Sequence, residues 1–403
     1  MKSSIKESSQ INTTDAKSAR YVAMAVGIAH LLNDAYASFL HPLLPRLMDK
    51  LGLSITLAAA LSMIFSLSSS IMQPMAGYLA DRFGRKVFVI AGPLISGVFL
   101  SLIGLAPSLS VLLAILLLGG IGSAVFHPPG AAMAARTAEG KGSGLRMSFF
   151  SCCGSLGYAI GPLAIIGLVA TVGLENTWMA VAPVIVLTLV LLVTLPSDDP
   201  QISNPDPPSL REVLSGLKGP LGVVFCISAL GAFAQRVFIT LSPIISSEAG
   251  ASEAVGALTL SVYLGAQAFG SLASGWLTDR VDRSQLLAWL TGLSVPTHML
   301  ALWLPPGSLG AFIFAACSGF LNMALLPPIV VMAQEIIPKS PAMGSAVVMG
   351  LAWATGSLGL LGTGIIGDWI SPQFAGLVSV PVLFLGTALC FHPKLKSYRK
   401  VVS

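Results

Sequence analysis

Charge is scarce in this chain. Asp, Glu, Lys and Arg together make up 10% of 403 residues, against 54% hydrophobic residues, and the mean hydropathy is +0.84. A soluble protein of this length needs a mostly polar exterior, so the deficit excludes that class. Cysteine is sparse as well. Cys152, Cys153, Cys226, Cys317 and Cys390 all fall in apolar stretches without metal-ligand spacing, and they read as small core residues. No His-Glu-x-x-His, no Gly-x-Ser-x-Gly and no phosphate-binding loop with Gly-Lys-Ser/Thr occurs, which leaves an intramembrane enzyme as a remote alternative only. The longest connecting segment is about 22 residues, too short for the nucleotide domain of a primary pump. Residues 1–20 are polar and hold no apolar stretch, so no cleavable signal peptide is visible.

What the chain does contain is long charge-free runs. Val87–Leu105, Val111–Val125 and Ala180–Leu195 approach or reach the length that crosses about 30 Å of hydrocarbon. With no water at that depth the backbone must satisfy its own hydrogen bonds, so the spans are helices. Twelve are expected: 21–45, 55–79, 87–106, 109–134, 145–170, 175–196, 219–245, 254–277, 285–304, 308–333, 343–367 and 373–392. With the N-terminus inside, cytoplasmic segments collect 19 of the 22 Lys and Arg, leaving Arg46, Lys50 and Arg236. That asymmetry places both termini in the cytoplasm. The net charge of +5 therefore reports topology, and nucleic acid is not an expected partner.

The chain divides almost in half. Pro196–Pro208 is polar, acidic and rich in proline, and it reads as a cytoplasmic hinge. The expected layout is a tail (1–20), a six-helix bundle (21–196), a linker (197–218), a second six-helix bundle (219–392) and a tail (393–403). Gly77-Tyr-Leu-Ala-Asp81-Arg82 recurs as Gly275-Trp-Leu-Thr-Asp279-Arg280, displaced by 198 residues. Pro128-Pro129 recurs as Pro327-Pro328 and Gly157 as Gly356, both displaced by 199. Parallel repeats of this kind place a substrate site between the halves near the bilayer midplane and expose it to each side in turn. A channel or receptor would not require the repeated loop.

The segment Gly77-Tyr-Leu-Ala-Asp81-Arg82-Phe-Gly84-Arg85-Lys86, between the second and third spans, resembles the signature loop of the major facilitator superfamily, and the copy at Gly275–Arg283 stands where that family carries a weaker one. Glycines here let helices approach closely. The resemblance implies that Asp81 sits against the N-terminal end of the eleventh span, near Gly344, and that Gly77, Asp81, Arg82, Gly84 and Arg85, with Asp279 and Arg280, govern conformational exchange. A simple tight turn flanked by solvated charges is the plainer reading. The implied fold is all-α, twelve transmembrane helices in two pseudo-symmetric six-helix bundles.

Gly154-Ser-Leu-Gly157-Tyr-Ala-Ile-Gly161-Pro162, in the fifth span, resembles the motif of drug antiporters in that superfamily, although Ile165 and Ile166 replace its following glycine pair. Gly157 and Gly161 allow close packing and Pro162 a kink; ordinary small-residue packing accounts for the same residues. In the first span His30 and Asp34 are four apart and His41 is seven further on, so the three are expected on one stripe. Asp34 is the one acid deep inside any expected span, and such a residue is by default a functional candidate. Beside an imidazole it can load and release a proton near physiological pH, or simply form an interhelical hydrogen bond. Phe126-His127-Pro128-Pro129 in the fourth span, with His30-Leu-Leu-Asn33-Asp34, resembles the fosmidomycin-resistance branch of the superfamily. That branch follows Phe-His-Pro with an acidic or polar residue, where Pro129 stands here.

Arg236 lies deep in the seventh span, where an arginine faces a cavity or an acid. Its planar fork suits phosphonate or carboxylate oxygens, and an ion pair with Asp34 is the competing arrangement. Asn33, Tyr36, His41, Gln267 and Asn322 are further lining candidates, with helix–helix hydrogen bonding as their alternative role. The expectation is a monomeric secondary transporter in the bacterial inner membrane. It exports small drug-like or anionic organic compounds against protons carried by Asp34, His30 and His127, with no cofactor and no metal. Proton-coupled uptake of an organic anion is the competing reading.

Overall fold

The computed structural model describes residues 3–136, 143–196, 216–337 and 341–398. Among them every regular element is helical. Eleven of these helices are long and apolar enough to cross a membrane: Ile55–Ala80, Arg85–Leu105, Leu109–Ala134, Phe149–Val172, Leu174–Thr194, Pro220–Glu248, Glu253–Thr278, Arg283–Trp303, Leu309–Ile336, Met343–Trp369 and Pro372–Leu389. They are spans 2 to 12 of the expected order. Span 1 is the helix Ser3–Ala37, which also takes in most of the segment expected as a polar tail. It falls short of the apolar criterion because it carries Arg20, His30, Asn33 and Asp34. Most of the expected linker (197–215) lies outside the described residues, as does the Asp81 side chain.

Sequence sets the punctuation. Ser54, Ser308 and Ser371 accept backbone N–H groups at the starts of spans 2, 10 and 12, and Asp282 does so at span 9, satisfying donors that a helix start leaves open. Gly84 joins spans 2 and 3 at φ +94°, a conformation that side chains with a Cβ rarely adopt. Span 1 does not run straight to its expected end at 45. The helix breaks at Ser38–Phe39 and restarts as Leu40–Leu51, because Pro42 has no N–H to continue the ladder. The paired prolines act differently in the two halves. Pro128 and Pro129 stay inside the continuous helix Leu109–Arg136. At Pro327 and Pro328 the helix stops at Met323 and restarts at Leu326.

Burial shows how the bundles meet. One apolar core joins both halves through residues such as Leu43, Phe65, Leu116, Phe238, Leu260 and Leu360. They cluster toward one end of the bundles, the end that the charge distribution leads one to expect outside. At the opposite, inner end each bundle keeps a core of its own, around Val26, Phe126 and Leu191 in the first and around Leu287, Ile329 and Met332 in the second. The outer seam is tight. A Cβ on Gly364 of span 11 would lie 2.7 Å from Thr56 Cα of span 2, and one on Gly367 would lie 2.8 Å from an Ile55 methyl. Two polar links close the same seam. Arg46 pairs with Glu253 at the start of span 8. Asp368, at the end of span 11, accepts hydrogen bonds from Ile55 N–H (2.7 Å) and from the N–H of Thr56 (3.0 Å) and its hydroxyl, capping a helix of the other bundle.

Candidate functional site

Asp34 lies where the shared core gives way to the separate ones, 3% exposed. The helical spacing of span 1 puts His30 on its face, and His30 Nε2 stands 3.2 Å from Asp34 Oδ2. His127 of span 4 brings its Nε2 to 3.3 Å from Oδ1. On the far side of each ring, Nδ1 meets a backbone carbonyl: Phe150 O at 2.8 Å for His30 and Ser123 O at 2.9 Å for His127. A carbonyl only accepts, so both rings carry hydrogen on Nδ1 and turn Nε2 to the carboxylate. Asn33 Nδ2 donates to Asp34 Oδ1 (3.1 Å) and to Ser123 Oγ (3.3 Å), while Ser96 Oγ donates to Asn33 Oδ1 (2.7 Å). Asn33 thus acts as a brace for the carboxylate, where the sequence offered it as a substrate contact. The nitrogens of His30 and His127 and an Asp34 oxygen lie within 4.8 Å of one another, a spacing a cation can bridge as protons can.

Span 5 closes over this cluster. Phe150 stacks on His30 with centroids 4.1 Å apart. A Cβ on Gly154 would overlap His30 Cε1 and lie 2.8 Å from Asp34 Oδ2. Gly157 and Gly161 press against the span 1 backbone in the same way, leaving no room for a Cβ beside Leu31 O and Ala35 O. The antiporter-like motif is therefore the surface on which span 5 packs against the face of span 1 that carries His30 and Asp34. Pro162 lies inside its helix.

Arg236 of span 7 is 9% exposed, and its Nε has no hydrogen-bond partner among the described residues. Asp34 pairs with His30 and His127, so the expected alternative of an Asp34–Arg236 pair is not the arrangement here. The groups whose charge or dipole Arg236 feels are His41, Tyr158 of span 5 and Tyr263 of span 8. His41 is buried, and among the described residues neither its Nε2 nor Gln267 Nε2 has a hydrogen-bond partner. His41 lies beyond the break at Ser38–Phe39 and interacts electrostatically with Arg236. Two other candidates serve elsewhere. The Tyr36 hydroxyl donates to Ala180 O (2.6 Å), and Asn322 donates to Gly231 O (2.9 Å) beside the span 10 break.

Sequence reasoning missed several participants. Tyr263 stacks on Phe238 (4.3 Å), and its hydroxyl meets Nε2 of the fully buried His298 (3.1 Å). Tyr158 sits inside the glycine motif, and Ser96 and Ser123 are single hydroxyls in apolar helices with no pattern to mark them. In the loop candidates, Gly77 approaches Pro128 closely enough that a Cβ would stand 3.4 Å from it. Arg82 lies over the Phe83 ring, and Arg280 over that of Trp276 while donating to Trp276 O. Asp279 terminates span 8.

Comparison with known proteins agrees with this architecture. The profile described as Major Facilitator Superfamily matches residues 26–339 and 223–402. The fosmidomycin resistance protein of Escherichia coli K12 is 27% identical over 394 residues, covering 95% of each chain. The multidrug resistance protein MdtG of Proteus mirabilis is 29% identical over 320 residues, 74% of this chain and 77% of that one. A bacterial homologue of the human lysosomal transporter Spinster, solved in an inward-facing and unoccupied conformation, superposes with a TM-score of 0.79 at 17% identity, over 96% of this chain and 99% of that one. With the profile matched across both bundles and its signature loop at Gly77–Lys86, the chain belongs to the Major Facilitator Superfamily.

Proposed function

We propose that the protein exports small organic anions across the bacterial inner membrane in exchange for protons, as a monomer with both termini in the cytoplasm. The observation that carries the proposal is Asp34, a buried carboxylate clasped by two imidazoles inside an apolar helix; Tyr158 interacts electrostatically both with it and with Arg236 of the other bundle, whose Nε has no acceptor among the described residues. Uphill export needs a group that alternates its charge, and Asp34 with His30 and His127 supplies one. The unfilled donors of Arg236 and Gln267 suit an acceptor-rich head group such as a carboxylate or phosphonate. The relatives named for drug resistance support export over uptake. Access alternates as the outer seam opens and the inner ends close, with the loop Gly77, Asp81, Arg82, Gly84 and Arg85 and its copy Asp279–Arg280 latching the inner side.

Proteoliposomes decide the matter. Imposing a pH gradient should drive uphill movement of anionic compounds out of the cytoplasmic side, with proton flux in the opposite sense. Asp34→Asn, a mimic of the neutral acid, should abolish pH-driven transport and keep downhill exchange. Proton and anion moving in the same direction would establish the symport alternative. Undiminished pH-driven transport in Asp34→Asn would remove Asp34 from the coupling step.

A further inference from the structure

The hydrogen-bond geometry counts the protons. Both Nδ1 atoms are committed as donors to backbone carbonyls, so a neutral ring offers Asp34 only the lone pair of Nε2. An ionised carboxylate oxygen offers a lone pair in return. Two acceptors held at 3.2 Å or 3.3 Å repel in a buried site. A proton within each contact, on nitrogen or on oxygen, converts the repulsion into a charge-assisted hydrogen bond. There are two such contacts, one on each carboxylate oxygen.

We propose that the centre formed by Asp34, His30 and His127 binds two protons at once, and that His127 is the member that exchanges its proton first. This rests on the reading of Asp34 as the coupling acid and goes beyond it by fixing the number of protons and their order. The doubly loaded centre has one net positive charge, the singly loaded centre none, and the empty centre one negative charge. Loss of one proton restores one repulsion and releases that ring. The His127 side chain is 29% exposed against 10% for His30 and 5% for Asp34, so its ring is the least enclosed of the three. His30 is held by the stacked Phe150 and roofed by Gly154. The surrounding elements contribute few other charges. Span 3 presents the Ser96 hydroxyl and span 4 that of Ser123, while Tyr158 of span 5 interacts electrostatically with both Asp34 and Arg236. The Asn33 brace holds Oδ1, the carboxylate oxygen that faces His127.

The test uses the full chain in nanodiscs, with chelator present, labelled with nitrogen-15 in histidine and carbon-13 in aspartate. Across a pH titration, nuclear magnetic resonance reports hydrogen on each imidazole nitrogen and on the Asp34 carboxyl, with assignments from His30→Gln and His127→Gln. The expected result is two exchangeable protons on the three groups at low pH, lost in two steps, His127 before His30. In His127→Gln the count should fall from two to one. A total that never exceeds one, or loss from His30 first, overturns the inference. If Asp34→Asn abolishes pH-driven transport while the wild-type count is one, the exchange mechanism stands and only the two-proton centre falls. If Asp34→Asn transports normally, the coupling assignment itself falls, whatever the count.

Discussion

A buried donor without an acceptor costs roughly 1–3 kcal/mol, more when it belongs to a charged group. Among the described residues Arg236 Nε is such a donor, while Tyr158 and Tyr263 interact electrostatically with the guanidinium. A ligand oxygen that meets Arg236 recovers this cost only if it fits the planar fork. Arg236→Lys keeps the charge and loses the fork, so binding of carboxylates and phosphonates should weaken roughly tenfold, about 1.4 kcal/mol. Neutral and cationic compounds should change far less in the same binding titration; equal losses across charge classes would instead assign Arg236 a structural role. At this scale the sequence was only partly legible. Asp34 and Arg236 announce themselves, because an ionisable residue in an apolar run is too costly to be incidental. Gly154 did not reveal its place over His30, since a glycine in a helix says that something comes close without saying what. The expected stripe of His30, Asp34 and His41 presumes a continuous helix, and the helix is interrupted at Ser38–Phe39, just ahead of Pro42.

Among the helices, spans 2 and 11 hold the seam. Asp368 caps the start of span 2 with three hydrogen bonds, and the resemblance-based position of Asp81, at the end of span 2 and against the start of span 11, is its counterpart at the other end of the same helix pair. Each carboxylate would then serve the conformer closed on its own side. Removing an N-cap side chain costs about 1 kcal/mol, enough to move a two-state equilibrium about fivefold. Asp368→Ala should therefore raise the population opened at the outer end by about that factor. Spin labels on the outer ends of spans 2 and 11 would show the longer distance, and an unchanged distance distribution would deny the cap this role. The Arg46–Glu253 pair, with both side chains about one-third exposed, should contribute less and weaken in salt. The limits of spans 2 to 12 were readable from the sequence to within a few residues, because apolar runs and Gly, Pro or Ser boundaries mark them directly; span 1 was not, since its helix starts at Ser3 and ends at Ala37. The cap was not readable, since 312 residues separate Thr56 from Asp368 and no local pattern joins them.

Across the whole molecule the two halves share one sequence pattern yet differ in how their proline-bearing spans run. The first bundle keeps its proline pair within an unbroken helix and holds the cluster of Asp34, His30 and His127. The second interrupts span 10 at Ala324–Leu325 and carries a five-residue π-helical turn, Val347–Leu351, in span 11. Ser228 Oγ of span 7 donates to the carbonyl of Val348 within that turn. The consequence is a lopsided machine. When the halves tilt, the first should travel as a block, preserving the ångström-scale fit around Asp34, while the second absorbs the distortion by bending. Amide hydrogens at 324–330 and 347–352 should then exchange with deuterium faster than those at 120–127, a contrast that mass spectrometry resolves. Equal protection in both regions would mean that the halves share the strain. An ancestral duplication that began as symmetry would on this account have become a division between an anvil and a spring.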